Sequence, residues 1–103
     1  MGIDPVNYEE MHLPVNYEEI HWSERKLVRE EYIRRQKGLC FYCGNSLEGD
    51  PSDSVKDIVV TKKLFPKCFF KYPVHLHHNR KTKMTIGAVH SHCNAVLWEH
   101  HGE

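Results

Sequence analysis

Two short pairs of soft donors share one spacing in this chain: Cys40 and Cys43 with two residues between them, and His90 and Cys93 with the same gap. Structural zinc takes four tetrahedral nitrogen or sulfur ligands, often as two such pairs brought together by the fold. The long stretch between the pairs does not suit a simple finger, so a zinc held here would clamp the ends of an inserted two-stranded unit. His92 and Cys68 are alternatives to His90 as the fourth ligand. Cys68, flanked by Phe69 and Phe70, otherwise reads as a core or free thiol, and Cys93 has a competing reading as a small buried hydrophobe. Four cysteines could also form two disulfides, but a C-x-x-C among nine histidines favours metal in a reducing compartment.

A second group of residues could do hydrolytic chemistry. Val74-His75-Leu76-His77-His78-Asn79-Arg80 alternates apolar and polar residues into a double histidine, as at the end of a strand. Neighbouring strand side chains point to opposite faces, so one of His77 and His78 can hold a metal while the other faces substrate. Asn94 directly follows Cys93, on the first turns of the last expected helix, so zinc would fix the helix that carries it.

The elements that must position these groups are expected in the order helix, knuckle, strand, strand, loop, helix. Ser23 is a plausible N-cap for a helix to about Lys37, with Leu27, Val28, Tyr32 and Ile33 on one side and Gly38 at its end. Arg25, Arg29, Arg34 and Arg35 pair in sequence with Glu24, Glu30 and Glu31, as on a solvated face. Leu39 to Gly44 reads as a tight turn presenting two sulfurs, and 45–56 as a polar loop. Ile58 to Thr61 and Cys68 to Leu76 read as an antiparallel pair of strands, and Ser91 to about His101 as a helix.

A chain of 103 residues and 12.2 kDa fits one domain with a modest core, which a metal would help to stabilise. Hydrophobic content of 40% beside 27% charged residues belongs to an ordinary globular protein. No apolar run has transmembrane length. The N-terminus lacks the pattern of a secretory signal, so the expected compartment is the cytoplasm of a bacterial or phage-infected cell. Formal net charge is zero, but its distribution is uneven. Between Ile58 and Trp98 there is no acid, while Lys62, Lys63, Lys67, Lys71, Arg80, Lys81 and Lys83 all fall there. Such segregation can leave one face able to neutralise phosphates. The first 22 residues hold a nine-residue repeat, Pro5 to Leu13 and Pro14 to Trp22. Met11 offers an alternative start that would put the leading copy outside the native chain. The organisation expected is therefore an N-terminal segment over 1–22 and a functional domain over 23–103.

In combination, Cys-x-x-Cys, then His-Leu-His-His-Asn-Arg-Lys-Thr, then Gly87-Ala88-Val89-His90-Ser91-His92-Cys93-Asn94-Ala95 resembles the HNH (ββα-metal) endonucleases. Within them it is most similar to the branch of the phage recombination endonuclease VII, over about residues 36–98. The resemblance implies a small α+β domain, a ββα-metal (His-Me finger) motif with a zinc-stapled N-terminal helix and knuckle. It implies His78 as general base, His77 and Asn94 as ligands of a catalytic divalent ion, and Cys40, Cys43, His90 and Cys93 as ligands of a structural zinc. His90 stands where the branch has cysteine, which zinc accepts. The middle Asn of the HNH pattern, expected near Thr85, is absent, leaving open what orients His78.

The implied activity is hydrolysis of DNA phosphodiester bonds, by nicking or double-strand cleavage, leaving 5′-phosphate and 3′-hydroxyl ends. Arg80, Lys81 and Lys83 are candidates for gripping phosphates. His77 and Asn94 are neutral, and imidazole suits Mn²⁺, Co²⁺ and Ni²⁺ better than Mg²⁺. DNA is the expected partner, with no membrane association, and the protein would act as a monomer or homodimer. Two other readings compete. A non-catalytic zinc-ribbon module binding nucleic acid would account for the Cys/His pairs but leaves His77, His78 and Asn94 unexplained. A protein-interaction domain with incidental histidines would predict neither metal nor salt-sensitive DNA binding.

Overall fold

The computed structural model describes residues 11–102. The leading copy of the repeat lies largely outside the described residues. The chain folds as a small α+β domain: α1 (Trp22–Arg35), α2 (Asp53–Lys56), β1 (Val74–His78), β2 (Thr85–His90) and α3 (Ser91–His101), with single 3-10 turns at Lys62–Leu64 and Phe69–Lys71. No helix among the described residues is long and apolar enough to cross a membrane.

α1 begins two residues earlier than expected. His21 is its N-cap, and the His21 Nδ1 accepts from the Ser23 backbone N–H at 3.2 Å, so Ser23 lies inside the first turn. The helix stops at Arg35, and Lys37 and Gly38 then take positive φ of 58° and 77° to reverse the chain. Val28 and Tyr32 are buried as expected, whereas Leu27 is exposed. Arg34 and Arg35 are exposed and pair with Glu31 as expected, but the acid they pair with is not on a solvated face. Glu31 is fully buried, and it accepts from Arg34 Nε and Nη2 at 2.9 and 2.7 Å and from Arg35 Nε at 2.5 Å. Those guanidinium groups hold its carboxyl below the usual carboxylate range in spite of burial, the Arg34 hydrogen bond contributing most.

The hairpin also differs from the expected one. β1 pairs antiparallel with β2, from Val74 opposite His90 to His78 opposite Thr85. Residues 58–61 form no strand. The Thr61 N–H is bound by the Glu99 carboxylate at 3.0 and 3.1 Å, and His100 Nε2 donates to the Val59 carbonyl at 2.8 Å. Side chains of α3 thus take the backbone groups a partner strand would need. Between Cys68 and Pro73 the chain makes a 3-10 turn, and only Val74 onward is extended. Thr85–His90 is buried along most of both faces and so lacks the alternation that marks a strand in sequence.

The core lies where α1, the hairpin and α3 meet: Val28 and Tyr32 from α1, Leu76 from β1, Ala88 and Val89 from β2, and Cys93, Val96 and Leu97 from α3. The knuckle packs on the free edge of β2. Gln36 Oε1 accepts from the Ala88 N–H at 2.9 Å, its Nε2 donates to the Ala88 and Leu39 carbonyls, and the Phe41 N–H donates to the Ala88 carbonyl at 3.0 Å. Gly87 permits this approach, since a Cβ there would meet Gln36 Oε1 at 2.8 Å and Phe41 at 3.0 Å.

Candidate metal centre and active site

Reversal of the chain after α1 delivers the first sulfur pair. The Cys40 N–H donates to Asn45 O, the Gly44 N–H to Cys40 O, and Gly44 takes a φ of 83°, closing the tight turn expected there. The Cys43 N–H also points at Cys40 Sγ, 3.5 Å away. The second pair straddles a junction: His90 ends β2 and is the N-cap of α3, and Cys93 lies in the first turn of α3. The ligand atoms of Cys40, Cys43, His90 and Cys93 lie within 4.8 Å of one another. His90 Nδ1 is 3.4 Å from Cys43 Sγ and 3.6 Å from Cys93 Sγ. Its other nitrogen, Nε2, lies 2.8 Å from the Ser46 carbonyl and donates to it, which leaves the Nδ1 lone pair facing the sulfurs.

This is a four-donor Cys3His set that could hold a metal such as zinc, and the fixed tautomer of His90 fits that use. The hydrogen bond from the Cys93 thiol holds Cys40 well below the ordinary thiol range, and the same bond raises Cys93. A bound zinc would take all three cysteines as thiolates. Neither alternative ligand joins the cluster: His92 Nε2 donates to the Val55 carbonyl at 3.0 Å, and Cys68 is exposed.

Next to this cluster, one residue further along α3, Asn94 reaches back to β1. Its Oδ1 lies 2.9 Å from His77 Nδ1, and its Nδ2 lies 3.0 Å from His75 Nδ1. His75 Nε2 is 2.8 Å from the Phe69 carbonyl. One assignment of protons satisfies the whole chain. His75 donates from Nε2 to Phe69 and accepts at Nδ1 from the Asn94 amide, and Asn94 Oδ1 accepts from His77 Nδ1–H. His75 is kept neutral by burial, which lowers its pKa. The sequence signal for His75 is its place two residues before His77, on the same face of β1.

The register of the hairpin breaks between His77 and His78, where Ile86 is the extra residue on β2. Such a bulge re-aims a side chain. His77 is buried against α3, while His78 is half-buried and turned toward solvent-facing hollows. With Asn94, His78 lines two adjoining depressions. One, of about 420 Å³, is walled by Leu64, Phe65, Phe69, Arg80 and Trp98. The other, of about 350 Å³, is walled by Tyr17, Arg25, Arg29, Tyr72 and His75. The His78 pKa is lowered, chiefly by burial and then by the neighbouring charges of His77, Lys83 and Arg25, with Glu18 opposing.

Arg80 stands at the site: its guanidinium carbon is 4.7 Å from the Trp98 ring centroid, and its Nε donates to the Gly102 carbonyl at 3.3 Å. Lys81 is exposed on the hairpin turn, outside both depressions, and Lys83 lies 4.0 Å from a Glu18 carboxylate oxygen. Arg25, Arg29 and Tyr17 line the site without having been expected there, because their approach depends on contacts distant in sequence. Comparison with family models, with curated proteins and with solved structures returns no match.

Proposed function

We propose that this chain is a metal-dependent DNA endonuclease of the HNH type, with a structural zinc at Cys40, Cys43, His90 and Cys93 and a ββα-metal active site formed by β1, β2 and α3. The observation that carries this reading is the 2.9 Å contact between His77 on the hairpin and Asn94 on the following helix, with His78 beside it in an open groove. An imidazole nitrogen of His77 and the amide oxygen of Asn94 are the groups that would hold a divalent ion there.

A divalent ion bound there would neutralise charge on the scissile phosphate and on the leaving oxygen. His78 takes a proton from the attacking water, the water oxygen bonds to phosphorus, and the bond from phosphorus to the 3′-oxygen breaks, the departing 3′-oxygen taking a proton from solvent water to become the 3′-hydroxyl. Its lowered pKa keeps His78 neutral, hence able to accept that proton, at neutral pH. Arg80 offers a charge to the phosphate from the Trp98 side of the groove. His77 accepts an ion at Nδ1 only when its proton leaves the Asn94 hydrogen bond and the ring takes its other tautomer.

The test is nicking of supercoiled plasmid by the purified chain with added Mn²⁺. Cutting that depends on Mn²⁺ in protein whose zinc is already in place is the expected result. Salt-sensitive DNA binding with no cutting under any divalent ion would favour the zinc-ribbon binding module instead.

A further inference from the structure

A general base is ordinarily held in plane by a hydrogen bond to its second ring nitrogen. Among the described residues, neither ring nitrogen of His78 has a hydrogen-bond partner. What holds its ring is a stack. The Tyr17 ring lies 3.9 Å from it, centroid to centroid, at an interplanar angle of 8°. The Arg25 guanidinium carbon is also 3.9 Å from the Tyr17 centroid. Two groups cannot share one face of a ring at that distance, so Tyr17 is sandwiched between Arg25 and His78. Arg25 is anchored in turn, its Nη2 donating to the Tyr17 carbonyl at 3.2 Å.

The backbone that carries Tyr17 is tied to the hairpin that carries His78. The Tyr17 N–H donates to the Lys83 carbonyl at 2.7 Å, the Thr85 N–H donates to the Val15 carbonyl at 2.9 Å, and the Val15 N–H donates to Thr85 Oγ1 at 3.0 Å. Thr85 is the residue paired with His78 across the hairpin. Its Oγ1 is also 2.8 Å from the Tyr32 hydroxyl, so α1 holds the same point. Tyr17 and His78 are thus fixed to one short piece of backbone, which sets their rings in register.

We infer that Tyr17, clamped by Arg25, is the positioning residue of His78, its ring face doing what a hydrogen-bonding side chain does for other bases. This rests on the nuclease reading above. Stacking fixes the plane of the imidazole while leaving both nitrogens open, one toward water and one toward solvent or product. The ring is what matters, and the Tyr17 hydroxyl is dispensable. The segment before α1 thereby belongs to the site.

The experiment measures plasmid nicking in Mn²⁺ by the full chain, as kcat and KM, with zinc content as the check of folding. Tyr17→Leu should lower kcat by about tenfold to a hundredfold with KM for DNA little changed, the size of loss that follows from a misplaced reacting group. Tyr17→Phe, which keeps the ring, should restore the rate. A zinc-loaded Tyr17→Leu protein with wild-type kcat would overturn the inference, as would equal losses in the Leu and Phe variants. Should Tyr17→Leu fail to hold zinc, the ring protons of His78 in the wild-type NMR spectrum decide. Displacement upfield by the tyrosine ring current supports the stack, and an unshifted resonance contradicts it. An inactive wild type would fail the nuclease reading and this inference with it, whereas active wild type with an unimpaired Leu variant fails this inference alone.

Discussion

Asn94 uses both ends of its amide, which ties the two histidines of one strand face to the first turn of α3. With His77 and Asn94 as its protein ligands, the catalytic ion would receive no carboxylate, so it gains little charge attraction and relies on imidazole affinity. Activity should therefore be higher with Mn²⁺ or Ni²⁺ than with Mg²⁺ at equal concentration. His77→Ala should weaken Mn²⁺ binding, and raised Mn²⁺ should recover part of the lost rate. Equal or better rates in Mg²⁺, or a His77→Ala protein with undiminished Mn²⁺ affinity by calorimetry, would remove His77 from the ion. At this scale much was legible in the sequence. The C-x-x-C and H-x-x-C spacings marked residues whose ligand atoms lie within 4.8 Å of one another. His75, Tyr17 and Arg25 were not legible, because their roles arise from contacts made only after folding. His75 meets Asn94, 19 positions away.

At the scale of elements, α1 carries a fully buried carboxylate, Glu31, neutralised by two arginines that remain partly exposed. Arg35 also donates through Nη2 to the Met11 carbonyl at 2.6 Å, so this cluster fastens the N-terminal segment to the helix. Glu31→Gln removes the charge but leaves arginines that water can reach, and the expected loss at pH 7 is about 1–3 kcal/mol. The carboxyl of Glu31 is depressed in the folded state, so its contribution is complete above the ordinary carboxylate range. It is lost as pH falls through the lower folded value. Urea melts of wild type and Glu31→Gln should therefore differ at pH 7, begin to converge as pH falls below the ordinary carboxylate range, and meet only below the depressed folded value, where Glu31 is neutral in the folded state as well. A gap that persists unchanged to acid pH would show that Glu31 acts through packing alone.

Helices were easier to read than strands. α1 and α3 were expected within a few residues of where they lie, since caps and charge spacing act locally. The hairpin lies later in the chain than strand composition suggests. Ile58 to Thr61 has strand composition, but its polar backbone is bound by Glu99 and His100, and Val59 is exposed. β2 is not legible in the sequence, because Gly87 breaks its pattern and burial on both faces leaves no alternation. Tertiary partners, not propensity, decided both outcomes.

For the whole molecule, the Cys3His cluster joins three pieces: the knuckle after α1, the end of β2 and the start of α3. In a chain of 103 residues a metal bound at that junction would stabilise much of the fold, because ligand binding free energy at such sites is folding free energy. Cys43→Ser should lose about one zinc per chain and unfold the domain in circular dichroism. A folded, zinc-free Cys43→Ser protein would end the structural-zinc assignment.

The proposed active site would depend on this staple, since Cys93 and Asn94 are neighbours on one helical turn. The central claim is that His78 is the base in a site whose ion is held by other residues. It is tested most directly by measuring turnover and Mn²⁺ binding together in His78→Ala. The account predicts a loss of roughly a hundredfold to ten-thousandfold in cutting, with Mn²⁺ and DNA affinity nearly unchanged. Loss of the Mn²⁺ site in His78→Ala, or full cutting without the imidazole, would contradict it.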